Sequence, residues 1–219
     1  MVNFDDDKLK LLKDRTFCEG PWYSRGYLPH LDQALTTYFI TFRLFDSLPQ
    51  KKILELMNSI SLIDKPEYKV KMQKKIEDWI DQGYGACYLK NEKIATMVQT
   101  ELLNLDNNLF NLHAWVIMPN HIHLLFTLLE NNSLAEIMHV IKGRTARQAN
   151  LILKRKGSFW GREYFDRFIR NQQHYGFVLN YIEYNPVVVG LCKNPHDWPF
   201  SSAARERRLQ PACYKPVGS

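Results

Sequence analysis

The sequence predicts an α+β fold of the ferredoxin-like kind, an antiparallel sheet of about four strands with helices packed on one face. Three observations predict it. Short runs with period-two alternation recur along the chain, stretches of helical periodicity separate them, and the order is strand, helices, strand, strand, helix, strand, helix. The 219 residues, 45% hydrophobic and 24% charged, are enough for one substantial core, so a single domain with appendages is expected.

Residues 1–35 carry little periodicity and mix turn formers with aromatics, including Trp22, Tyr23, Arg25, Gly26, Tyr27 and Pro29, which reads as an irregular arm. From Thr37 to Leu44 the residues Tyr38, Ile40, Phe42 and Leu44 alternate with Thr37, Phe39, Thr41 and Arg43, the pattern of a strand. Asp46-Ser47-Leu48-Pro49 ends it. Apolar residues at helical spacing, such as Ile53, Leu56 and Met57 or Ile94, Met97, Val98 and Leu102, predict helices near 50–63, 66–82 and 91–105. Gly83-Tyr84-Gly85 breaks the last two apart.

Leu112 to Met118 and His121 to Leu128 are strands joined by the tight turn Pro119-Asn120, hence a hairpin. Ser133-Leu134-Ala135-Glu136 has the form of a capping box and predicts a helix from Ser133 to about Leu153. Tyr164 to Ile169 is a short fourth strand. A last helix begins near Asn171, which can cap it, and is expected to stop before Pro186, whose ring removes a donor. Pro195, Pro199 and Pro211 mark a mostly irregular tail. The expected organisation is an arm over 1–35, a domain over 36–190 and a tail over 191–219.

Lys plus Arg number 29 against 23 Asp plus Glu, and the net charge of +6 favours a polyanionic partner only mildly. Cys18, Cys87, Cys192 and Cys213 form no CxxC pair that could seed a zinc or redox centre and read as reduced thiols. The N-terminus has neither the basic nor the apolar region of a signal peptide, so a cytoplasmic location is expected. No apolar run approaches the roughly 20 residues of a membrane-spanning helix, and no membrane partner is expected.

The segment Pro119-Asn120-His121-Ile122-His123-Leu124-Leu125 carries the sharpest chemical signal. Residues i and i+2 of a strand share a face, so His121 and His123 project side by side and can share a divalent cation, while Ile122, Leu124 and Phe126 bury the other face. Spacing alone fits a pair of half-buried strand histidines equally well. Within Tyr181-Ile182-Glu183-Tyr184-Asn185-Pro186, Tyr181 and Asn185 lie one helical turn apart, and a phenol and an amide oxygen there could reach the same cation. A core aromatic is the other reading of Tyr181.

Together these segments resemble the REP-associated tyrosine transposases, within the single-tyrosine HUH transposases. The resemblance covers Ser24-Arg25-Gly26-Tyr27-Leu28-Pro29-His30, Phe39-Ile40-Thr41-Phe42-Arg43-Leu44, and His113 to Met118 with the histidine motif. It continues through Phe159-Trp160, Glu163 to Arg167, Ile169-Arg170, Tyr181 to Val187, Gly190-Leu191 and Asp197 to Ser202. It implies the HUH nuclease fold, with His121 and His123 as metal ligands, Asn185 completing the site, Mg²⁺ or Mn²⁺ as the cofactor and Tyr181 as the nucleophile. The implied activity is transposase chemistry on single-stranded DNA, through a 5′-phosphotyrosine at short repeats that fold into hairpins. Tyr184 has no catalytic counterpart.

Lys142, Arg144, Arg147, Lys154, Arg155 and Lys156 occur in a stretch without an acidic residue and are candidate phosphate contacts, although a solvated helix face would look the same. Arg167, Arg170, Arg25 and Tyr27 are further candidates for DNA binding. Two other functions stay open: a non-cleaving protein that binds hairpin DNA, and a zinc hydrolase using Glu130 or Glu183, for which no HExxH spacing exists. A monomer and a homodimer are both compatible with the sequence.

Overall fold

The computed structural model describes residues 22–24, 29–31, 35–48, 75–76 and 78–205. In the arm, β1 (Trp22–Ser24) and β2 (Pro29–Leu31) pair as a small antiparallel ribbon. The main sheet has four strands, β3 (Thr37–Leu44), β4 (Phe110–Ile117), β5 (His121–Leu128) and β6 (Trp160–Phe168), in the order β4-β5-β3-β6. Every neighbouring pair is antiparallel. Among the described residues, three long helices, α1 (Glu92–Leu105), α2 (Leu134–Ile152) and α3 (Gln172–Val188), pack with the sheet in an α+β architecture. A further helical stretch ends at Asp81.

Each long helix starts at a polar cap, and two of the three caps, Ser133 and Asn171, are those the sequence predicts. Asn91 accepts from the Lys93 amide, Ser133 from that of Glu136, and Asn171 from that of His174. Each cap satisfies one of the amides that the first turn leaves unbonded. Of the helices expected over 50–63 and 66–82, most residues lie outside the described ones.

The helices divide between the two faces of the sheet. Tyr38, Ile40, Phe42 and Leu44 of β3 and Ile122, Leu124, Phe126 and Leu128 of β5 bury one face against Ile94, Val98 and Leu102 of α1 and Leu134, Ile137 and Ile141 of α2. The opposite face, lined by Phe39, Ala114, Val116, Met118 and Leu125, receives Val178 and Ile182 of α3. The sequence reading placed helices on one face. That describes α1 and α2, whereas α3 covers the other, because β3 and β5 carry apolar residues on both sides.

His113 is an extra residue in β4, where the register with β5 shifts between Leu112 and Ala114. This bulge reverses the alternation, so that Leu112 before it and Trp115 and Ile117 after it all face the main core. Two other boundaries differ from expectation. Helix α3 passes through Pro186 and ends at Val188. A proline in the final turn forfeits one amide donor while its fixed φ suits a helix, and the ring is buried. The segment after α3 is also more ordered than an irregular tail: Ser201 bridges to Val116, the Ile117 amide donates to Phe200, and the Trp198 indole donates to the Ile117 carbonyl at 3.0 Å. It covers the outer edge of β4, an exposed ladder that would otherwise invite pairing. No described helix is long and apolar enough to cross a membrane.

Candidate metal centre and its tyrosine

His121 and His123 lie on the α3 face of β5, each 1% exposed. Their Nε2 atoms face one another at 3.0 Å. The other nitrogen of each ring is already engaged: Nδ1 of His121 lies 2.8 Å from Asn120 Oδ1, and Nδ1 of His123 lies 2.8 Å from Thr41 Oγ1.

Asn120 fixes the tautomer of His121. Its amide nitrogen donates to the carbonyls of Ile80 at 2.9 Å and Tyr84 at 3.1 Å, so its oxygen must be the atom turned to His121. Nδ1 of His121 therefore carries the proton, and its Nε2 presents a lone pair to His123. With Thr41 accepting from Nδ1 of His123, two lone pairs would converge, an arrangement that calls for a cation between them.

Other donors surround the pair. Asp81 Oδ1 approaches His121 Nε2 to 3.6 Å, and its side chain is 16% exposed. Asp81, His121 and His123 form a group whose ligand atoms all lie within 4.8 Å of one another. From α3, the amide nitrogen of Asn185 lies 3.5 Å from His123 Nε2, while its buried oxygen has no hydrogen-bond partner among the described residues. A buried, unsatisfied amide oxygen beside two imidazoles and a carboxylate is the donor set that suits a divalent cation. The residues present therefore fit a metal ion.

Tyr181 stands one helical turn before Asn185. Its ring meets that of His123 edge-on with centroids 5.2 Å apart, and that of Phe39 at 5.8 Å. Phe39 also stacks on His123 at 5.5 Å. One aromatic side chain of β3 thus spaces the tyrosine from the sheet and holds the imidazole plane. Tyr184 is 40% exposed.

Residues 88–185 match the sequence model of the IS200-like transposase family. A REP-associated tyrosine transposase of Escherichia coli is 32% identical over 98 residues, 44% of this chain and 56% of that protein. A Haemophilus influenzae protein that carries the same name provisionally is 34% identical over 111 residues, 46% of this chain and 63% of its own length. The chain thus spans about three fifths of the length of the curated relatives it matches. In fold it is similar to a solved structure of a REP-associated tyrosine transposase bound to a REP hairpin, with a TM-score of 0.50 and 21% identity over 89% of this chain and 91% of the other.

The matched segment includes both histidines, Asn185 and Tyr181, and the structure brings these four residues singled out by sequence to one place. Asp81, Thr41 and Asn120 were not singled out. Asp81 lies far upstream in a segment with no motif of its own, and Asn120 was seen only as a turn residue. Among the described residues, Asp81 is the carboxylate grouped with the histidine pair, where the zinc-hydrolase reading had invoked Glu130 or Glu183.

The basic candidates scatter. Lys142, Arg144 and Arg147 belong to α2, on the sheet face opposite α3 and the histidines. Lys142 donates to the Arg162 carbonyl at 2.8 Å, and burial lowers its pKa to about 8. Arg144 is paired with Glu101 at 2.9 Å. Arg147, Lys154 and Lys156 are exposed, and Arg155 lies 5.0 Å over the Tyr88 ring. Arg167 is different: it sits over Phe165, which packs on Phe39, so it shares the face of Tyr181. Arg170 lies over Phe168 near the start of α3. Arg25 and Tyr27 lie outside the described residues.

Proposed function

We propose that the protein is a metal-dependent enzyme that nicks and rejoins single-stranded DNA at hairpin-forming repeats, with Tyr181 as its nucleophile. The observation that carries this reading is the placement of a tyrosine ring 5.2 Å from one of two histidines whose Nε2 atoms converge. Similarity to the IS200-like family and to REP-associated tyrosine transposases supports it.

The reaction is a transesterification. Tyr181 Oη attacks phosphorus, the bond to the DNA 3′ oxygen breaks, and a 5′-phosphotyrosine remains on the protein. The phenol proton leaves and the 3′ oxygen gains one, so the number of phosphoester bonds is unchanged and rejoining to another 3′ end needs no ATP. A free phenol has a pKa of about 10, so its oxygen must be placed in line with the phosphate to compete with water. Phe39, edge-on to the Tyr181 ring, and the burial of α3 through Val178 and Ile182 would hold the ring still for such a placement.

His121, His123, Asp81 and Asn185 would hold the cation, Mg²⁺ or Mn²⁺ by the chemistry of its partners, and when bound it would neutralise charge on the phosphate oxygens. Asn120 and Thr41 orient the two imidazoles for this purpose. Arg167, on the tyrosine's face, is a suitable phosphate contact, and the cations of α2 would meet DNA only where a hairpin wraps the sheet edge.

The test uses labelled single-stranded hairpin DNA with Mg²⁺ or Mn²⁺, resolved on a denaturing gel. A covalent adduct that EDTA abolishes, and that Tyr181→Phe lacks, is expected. Tight binding with neither adduct nor nick would instead favour a hairpin-binding protein that does not cut.

A further inference from the structure

Arg43 occupies an irregular place in the sheet beside the histidines. On β5 its register partner is His121, just as Thr41 is the partner of His123. Since Thr41 touches His123, alternation puts Arg43 on the same face, and cross-strand partners have Cβ atoms about 5 Å apart. On its other side, β6 bows away. Phe42 pairs with Tyr164 and Leu44 with Trp160, so Arg43 alone faces residues 161–163. Bulges of this kind are concentrated beside functional sites, where they re-aim a side chain.

The guanidinium lies across this bulge. A Cβ on Gly161 would stand 3.4 Å from both Cζ and Nη1 of Arg43, so the guanidinium lies in contact range of this glycine on β6. Its hydrogen bonds among the described residues are few and long: Nη1 donates to the Leu44 carbonyl at 3.3 Å and to Ser47 Oγ at 3.4 Å. Among the described residues no ion pair engages it. A half-buried planar fork with most of its five donors unspent is suited to a bidentate anion.

We propose that Arg43 binds a non-scissile phosphate of the DNA strand, the one that passes over the β6 bulge as the neighbouring linkage enters the metal centre. This deepens the function proposed above and rests on it, since the strand is the substrate of that reaction. The guanidinium extends toward β6 and away from β5, which is why the phosphate it takes is a neighbour of the reacting one. Fixing two successive phosphates would set the direction in which the strand crosses Tyr181.

The experiment measures binding of single-stranded hairpin DNA by the full chain and by Arg43→Met and Arg43→Lys, with circular dichroism melts to establish folding. Arg43→Met is expected to bind about tenfold more weakly, and the slope of log K against log salt should fall by about 0.7, the value for one phosphate contact on a single strand. Arg43→Lys should recover the slope but not the full affinity. A scan of single methylphosphonate linkages then locates the contact: one non-scissile position should weaken the wild type and leave Arg43→Met indifferent.

If both variants match the wild type in affinity, slope and scan, while the wild type still forms its adduct, the role of Arg43 is refuted and the enzymatic reading stands. If the wild type binds no single-stranded DNA, both fall. If the wild type binds without forming an adduct and the scan behaves as expected, the phosphate contact survives and the nicking reading fails.

Discussion

Asn120→Ala is the substitution whose consequences can be worked furthest from the structure. The side chain is 1% exposed and makes three contacts at once, to the carbonyls of Ile80 and Tyr84 and to Nδ1 of His121. At about 1 kcal/mol net for each hydrogen bond, stability should fall by about 3 kcal/mol. His121 would lose the acceptor that fixes its tautomer, and the segment carrying Asp81 would lose its tie to the hairpin. Loss of such an outer partner costs 10- to 100-fold in metal affinity. Urea denaturation measures the first effect and calorimetric titration with Mn²⁺ the second. Asn120→Asp keeps an acceptor for His121 and forfeits both donors, so stability should fall by about 2 kcal/mol and metal affinity should fall less than in Asn120→Ala, by the part that the Asp81 tie contributes. A folded Asn120→Ala protein with wild-type Mn²⁺ affinity would refute the reasoning.

Further outcomes follow from other contacts. Thr41→Val removes the partner of His123 Nδ1 and should weaken Mn²⁺ binding about tenfold, readable by the same titration, at a stability cost of about 1 kcal/mol. Phe39→Ala deletes a ring packed on His123, Phe165 and Tyr181, and urea denaturation should record a loss of about 3–5 kcal/mol. Burial lowers the His113 pKa from its ordinary 6.5 to about 4, against a smaller opposing pull from Asp106. Its contribution is therefore intact above pH 6.5 and is lost as pH falls toward 4, by at most about 3 kcal/mol. Melting curves across that window should flatten in His113→Gln. Ser133→Ala should cost about 1 kcal/mol by removing the cap of α2.

Much of the fold was legible because local chemistry agreed with it. Asn91, Ser133 and Asn171 sit where capping residues belong, and the hairpin around Pro119-Asn120 follows from two apolar runs meeting at a turn. The face taken by α3 was harder to read. Phe39 falls on the nominally polar side of β3, and Leu125 stands in line with the histidines of β5. Both mark a sheet buried on each side, where simple alternation fades. The bulge at His113 was invisible for a related reason, since one inserted residue leaves the composition of a strand unchanged while reversing its parity.

Within the site, His121 and His123 announced themselves by a spacing that a strand converts into proximity, and Tyr181 and Asn185 by one helical turn. Asp81 could not be read that way, because its approach depends on Asn120 holding the carbonyls of Ile80 and Tyr84. The run of cations from Lys142 to Lys156 was the most misleading signal. Sequence proximity grouped them, yet α2 carries its part of them on the face away from the histidines, and Arg144 is engaged by Glu101. Arg167, a single cation without basic neighbours, lies nearer to Tyr181 through Phe165 and Phe39.

The central claim is that one tyrosine takes the phosphate. Digesting the protein after reaction with hairpin DNA and Mn²⁺, and sequencing the nucleotide-bearing peptide by mass spectrometry, reads this directly. The modification should map to Tyr181 alone. A nucleotide on Tyr184, or on any other residue of the wild-type protein, would contradict the account.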